Sequence, residues 1–79
     1  MQYGQMYCMG FELGDDVVAA QNLTGVELHV GHKELLIPKG CEGHIVRFRT
    51  EYGVPCADID FNHTRWLYMV PLQYLRRKA

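Results

Sequence analysis

The stretch His44-Ile45-Val46-Arg47-Phe48-Arg49-Thr50-Glu51-Tyr52-Gly53-Val54-Pro55-Cys56-Ala57-Asp58-Ile59-Asp60-Phe61 reads as two strands folded back on each other. Apolar and polar residues alternate along both halves, the period of a strand that buries one face. Gly53 after Tyr52 supplies the positive φ that a tight hairpin turn needs. Folding the halves about that turn sets Arg47 opposite Asp58, with Arg49 and Asp60 on diagonals. Opposite charges at such positions contribute about 0.2 to 1 kcal/mol each, and like charges would oppose the register. The same register sends Val46, Phe48, Ala57, Ile59 and Phe61 to a core face, with His44 on that side too. It leaves Ile45 on the outer face.

Downstream, Asn62, His63, Thr64 and Arg65 make a loop, and Trp66 to Val70 forms a third strand rich in β-favouring Trp, Tyr and Val. Phe61 then meets Trp66, Ile59 meets Tyr68 and Ala57 meets Val70, while Leu67 and Met69 join Ile45 outside. Pro71 removes a donor and ends the ladder. A single 3₁₀ turn over Pro71 to Tyr74 leads to a last strand at Leu75 to Lys78.

Upstream, a first strand runs from Asp16 to Ala20, introduced by Gly14 and Asp15 and released at Gln21 and Asn22. The excursion that follows carries its own hairpin. With a turn at Gly31 to Glu34, Val30 faces Leu35, Leu28 faces Ile37, and His29 points outward. Pro38, Lys39 and Gly40 make a turn, and Gly43 marks a bulge or a close backbone approach. Residues 1–10 hold no charge and read as a flexible N-terminal arm; residues 11–79 read as one domain.

Composition narrows the function classes. At 79 residues, folding buries only about 60% of the unfolded chain's surface, so disulfides, metal or oligomerisation usually assist. Three cysteines, Cys8, Cys41 and Cys56, form no Cys-x-x-Cys pair, which argues for a reducing cytoplasm rather than a disulfide framework. No apolar run approaches the ~20 residues of a membrane span. A formal charge of −1 offers no basic field for nucleic acid.

Few constellations could carry chemistry. There is no serine, so a Ser-His-Asp arrangement is excluded, and no catalytic residue is assigned. His29 and His32, and Cys41 and His44, have zinc-ligand types at three-residue spacing and are the metal candidates, without the Cys-x-x-Cys knuckle that would identify a zinc site. The bland reading is exposed histidines and a buried Cys41, with no metal or other cofactor. Asp58 and Asp60 share a face, but the arginines opposite make an ion-pair ladder of them rather than a general acid and base. Arg47, Arg49, Arg65, Arg76, Arg77 and Lys78, with Tyr3 or Tyr52 to stack on bases, could bind single strands, yet acidic residues are interleaved among them.

The order of elements is a strand, a long excursion, three antiparallel strands on short loops, a 3₁₀ turn and a last strand. It resembles the SH3-like small barrel: all-β, about five strands, with an inserted hairpin. Within that class Gly14-Asp15-x-Val17, Gly43-x-Ile45-Val46 and Pro71 followed by Leu75-x-Arg77 resemble the plasmid-type (type II) dihydrofolate reductases. Those are short SH3-like chains that assemble around a shared pore and travel on mobile gene cassettes. The resemblance implies a homo-oligomer. It does not carry the enzyme's residues across, because the family's Val-Gln-Ile-Tyr before the proline is replaced by Leu67, Tyr68, Met69 and Val70, and the ligand-orienting amide is gone. The expectation is a homo-oligomeric binding or interaction module for a protein or small molecule, with Ile45, Leu67, Met69, His29 and His32 as contact residues. A pore-forming enzyme and a single-strand-binding barrel are the alternatives.

Overall fold

The computed structural model describes residues 7–25, 27–28, 36–62, 64 and 66–78. The fold is all-β. The strands are β1 (Tyr7–Cys8), β2 (Phe11–Glu12), β3 (Asp16–Ala19), β4 (Leu23–Thr24), β5 (Leu36–Ile37), β6 (Glu42–Glu51), β7 (Val54–Phe61), β8 (Leu67–Pro71) and β9 (Leu75–Arg77), with a 3₁₀ turn at Leu72–Tyr74 between the last two. Five of them form one sheet in the order β8-β7-β6-β3-β9, and β1-β2 and β4-β5 are separate two-stranded ladders. Among the described residues the five-stranded sheet does not close on itself, so β8 and β9 are its edges. Of the stretch read as an N-terminal arm, the described part begins at Tyr7, where β1 pairs with β2.

The β6–β7 hairpin is the longest ladder. Its turn is Tyr52 and Gly53, both at positive φ (52° and 78°), the conformation whose twist matches that of the flanking strands. From there Thr50↔Pro55, Arg49↔Cys56, Phe48↔Ala57 and Arg47↔Asp58 follow as the charges require. On the far side of β7, Ile59↔Tyr68 and Ala57↔Val70 pair as expected. Inward side chains of these strands meet Val17, Leu23, Leu28 and Leu72, all essentially inaccessible to solvent, in one core.

Above Arg47 the alternation breaks. Ile45 pairs with Ile59 while Arg47 pairs with Asp58, which leaves Val46 as the extra residue of a β-bulge. One extra residue reverses the facing of everything beyond it. Ile45 is therefore a core residue, 1% exposed, and not part of the outer face. His44 turns outward, opposite Asp60, and Val46 is exposed rather than buried. Two constraints hold the bulge in place. The Ile45 N–H donates to Asp15 O (3.1 Å) and Ile45 O accepts from the Gly14 N–H (2.9 Å). Gly43 lies so close to β7 that a Cβ there would sit 2.7 Å from Asp60 O and 2.9 Å from Phe61 Cα.

Two other expectations are corrected. The β7–β8 ladder ends at Asp60↔Leu67, so Trp66 does not meet Phe61; it is 68% exposed. The loop explains this. Thr64 N–H donates to Phe61 O (3.0 Å), and the Thr64 hydroxyl lies within hydrogen-bond distance of the Phe61 and Trp66 carbonyls, which bends the chain before β8 begins. In the excursion, Ile37 pairs with Leu23 and not with Leu28. Leu28 instead donates its N–H to Thr24 O (2.9 Å), in a compact turn where the Glu27 carboxylate accepts from the Thr24 N–H and hydroxyl. Both leucines and Ile37 are still buried. The Val30–Leu35 pair and the turn between them lie outside the described residues.

Candidate functional site: the outer face of β6, β7 and β8

Three strands position this face. Alternation on β7 directs Asp58 and Asp60 outward, and register brings Met69 beside Asp58 and Leu67 beside Asp60. Across the other ladder lie Arg47, opposite Asp58, and His44, opposite Asp60. Each row thus runs from a basic or imidazole side chain through a carboxylate to an apolar side chain.

Asp58 anchors the lower row. It is only 5% exposed, and its Oδ2 accepts from Arg47 Nε (2.9 Å) and Nη2 (2.7 Å) and from Arg49 Nη2 (3.0 Å). A buried carboxylate is tolerable only when it is paired and hydrogen-bonded in this way. Arg49 also reaches toward Glu51 (3.6 Å), while its Nε is buried without a hydrogen-bond partner. In the upper row His44 Nε2 stands 3.8 Å from Asp60 Oδ2, with both side chains half exposed.

Beside this ion-pair ladder the apolar side chains are open. Leu67 is 48% exposed and follows directly on Trp66, with Met69 half-buried next along the same side of β8. Tyr52, at the tip of the hairpin, is 95% exposed but lies at the opposite end of β7 from Trp66.

The structure thus brings together Leu67 and Met69, as expected, and removes Ile45. Trp66 and Val46 join the exposed set. The signal for this was present in Gly43: with that residue pressed against β7 opposite Phe61, the stretch Gly43 to Arg47 holds one residue more than Asp58 to Phe61, one too many for plain alternation. His29 and His32 lie outside the described residues.

The chemistry of the remaining candidates is mostly structural. Among the described residues no group of His, Cys, Asp and Glu side chains could hold a metal ion. Cys41 is half-buried against the core, and burial raises its thiol pKa. Cys56 is fully buried; desolvation, with the Glu51 carboxylate adding to it, pushes its thiol up, the reverse of what a nucleophile needs. The cations once grouped as a basic patch are largely paired: Arg47 and Arg49 with Asp58, Arg77 with Asp15 (3.3 Å) and Lys78 with Glu42 (2.9 Å). Arg65 is outside the described residues. No helix among the described residues is long and apolar enough to cross a membrane.

No family model matches the chain, and neither a curated protein nor a solved structure matches it.

Proposed function

We propose that the chain is a small homo-oligomeric binding module of the SH3-like class, with Trp66, Leu67 and Met69 as the centre of its contact surface. The observation that carries this is the adjacency of Trp66 and Leu67, both large, apolar and exposed (68% and 48%), beside Met69 at one edge of the sheet. Exposed aromatic and aliphatic groups set together mark interaction sites, and Trp is a favoured anchor of interfaces. The strand order β8-β7-β6-β3-β9, with a 3₁₀ turn joining the two edges, supports the SH3-like assignment, because it is the order such a barrel has when opened along one seam. The ion-pair ladder supplies a polar rim to the patch, an arrangement common at interfaces.

Sedimentation velocity or native mass spectrometry across a concentration series tests the reading. The protein is expected to associate, and Leu67→Lys to weaken association by about tenfold or more, equivalent to a loss of roughly 1.4 kcal/mol. Stability of the folded chain should move by no more than about 0.5 kcal/mol, as for an exposed position. A monomer at every concentration would overturn the proposal.

A further inference from the structure

The backbone of β8 carries a second feature that no side-chain reading reveals. A two-residue hairpin turn makes its closing residues, Glu51 and Val54, a hydrogen-bonded pair. Antiparallel pairs alternate between bonded and non-bonded, so Arg49↔Cys56 and Arg47↔Asp58 are bonded. The backbone groups of Cys56 and Asp58 thus face β6, and those of Ala57 and Ile59 face β8. It follows that Val70 and Tyr68 exchange the bonds that hold β8, and that Cys56↔Pro71, Asp58↔Met69 and Asp60↔Leu67 exchange none. The prolines agree: Pro55 and Pro71, which have no N–H, both fall on non-bonded pairs. The N–H and C=O groups of Leu67 and Met69 therefore point away from the sheet, along its open edge. No strand among the described residues pairs with them.

The two edges of the sheet differ in protection. Along and just beyond β9 stand Arg76, Arg77 and Lys78, charges of the kind that discourage edge-to-edge pairing. β8 has no charge at all; Pro71 merely bounds it at one end. We infer that β8 pairs antiparallel with the β8 strand of a second copy, about a two-fold axis beside Tyr68. This rests on the oligomeric reading above and specifies its geometry. In that register Leu67 faces Met69 of the partner copy and Met69 faces its Leu67, so every outward donor on these residues meets an acceptor. Shifting the axis to Met69 would instead bring Pro71 opposite Leu67 and leave the Leu67 carbonyl without a donor. The axis beside Tyr68 also merges the two Leu67–Met69 patches into one apolar strip on the outer face. A second copy fits this edge better than a charged peptide, since β8 offers no charged group to select one.

The test compares Leu67→Ala, which removes the outward side chain, with Leu67→Pro, which also removes the outward N–H. Neither touches a bond to β7. Leu67→Pro is expected to weaken association at least about tenfold beyond Leu67→Ala, the equivalent of about 1.4 kcal/mol. Equal effects of the two would overturn the edge pairing and leave the side-chain surface standing. No effect of either would overturn the proposed surface itself. Amide exchange on the unsubstituted chain decides the matter should Leu67→Pro not fold. The Leu67 and Met69 amides should slow as concentration rises, while those of Tyr68 and Val70 stay slow throughout; Leu67 and Met69 amides that remain fast in the associated protein would overturn the inference.

Discussion

The two halves of β6 obey different rules. From Arg47 to the Tyr52–Gly53 turn, the register is the one that the turn and the Arg47–Asp58 pair set, and Asp58 holds both arginines. From Glu42 to Ile45 the facing is inverted, because Val46 is inserted between the halves. The lower half is governed by its own hairpin. The upper half answers to two neighbours at once: β3 and its approach, through Gly14 and Asp15, and β7, through Gly43. Where a strand serves one partner, local pattern decides its register; where it serves two, their spacing does.

That contrast can be broken most forcefully at Gly43. Its missing Cβ would meet backbone on β7, which cannot move aside as a flexible side chain could. Gly43→Ala is expected to destabilise the fold by about 1 to 3 kcal/mol or more, the range for overpacking a tight contact. A urea melt would measure it, and a loss under about half a kcal/mol would mean that the close approach does not constrain the upper half. In the lower half, Asp58→Ala removes the acceptor shared by Arg47 and Arg49 and should cost about 1 to 3 kcal/mol, the range for hydrogen bonds to charged groups. Much of Arg47 is solvated, which favours the low end. Asp58→Asn, which keeps an acceptor in place, should lose less.

The smallest effect belongs to the charges that fasten the upper half to β9. Lys78 Nζ donates to Glu42 Oε1 (2.9 Å), and that hydrogen bond first, the Glu42 charge second, raises the Lys78 pKa above its usual value. A raised folded pKa means stability that is fully present below the unfolded pKa, near 10.5, and lost as pH climbs through the folded one. Lys78→Met should therefore lose this small contribution across the neutral region and flatten the alkaline limb of a stability-against-pH curve, the two curves converging as pH rises. An identical alkaline limb in the variant would show that the pair contributes nothing measurable.

Much of the sheet was legible in advance. The Arg47–Asp58 register, the Tyr52–Gly53 turn, the inward Tyr68 and Val70, the outward Leu67 and Met69 and the 3₁₀ turn before the last strand all rest on interactions between near neighbours in the chain. Of the candidate surface, Leu67 and Met69 were legible for the same reason. Ile45, His44, Val46 and Trp66 were not. The first three depend on a bulge that Gly14, Asp15 and β7 impose from a distance. Trp66 depends on how Thr64 closes its loop on Phe61. The pairing of Ile37 with Leu23 escaped for a related reason. Leu28 and Leu23 are equally apolar, and only the Thr24–Glu27 turn decides which of them reaches β5.

By itself the sequence determined an all-β chain, its charge-matched hairpin and the apolar character of both sides of β8, because alternation, turn residues and opposite charges act over a few residues or across one turn. Only the tertiary structure decided that Ile45 is core, that Trp66 is surface, and that β8 is an edge of the five-stranded sheet among the described residues. Those outcomes depend on which strands lie on either side, and a strand's second neighbour is chosen by parts of the chain far from it.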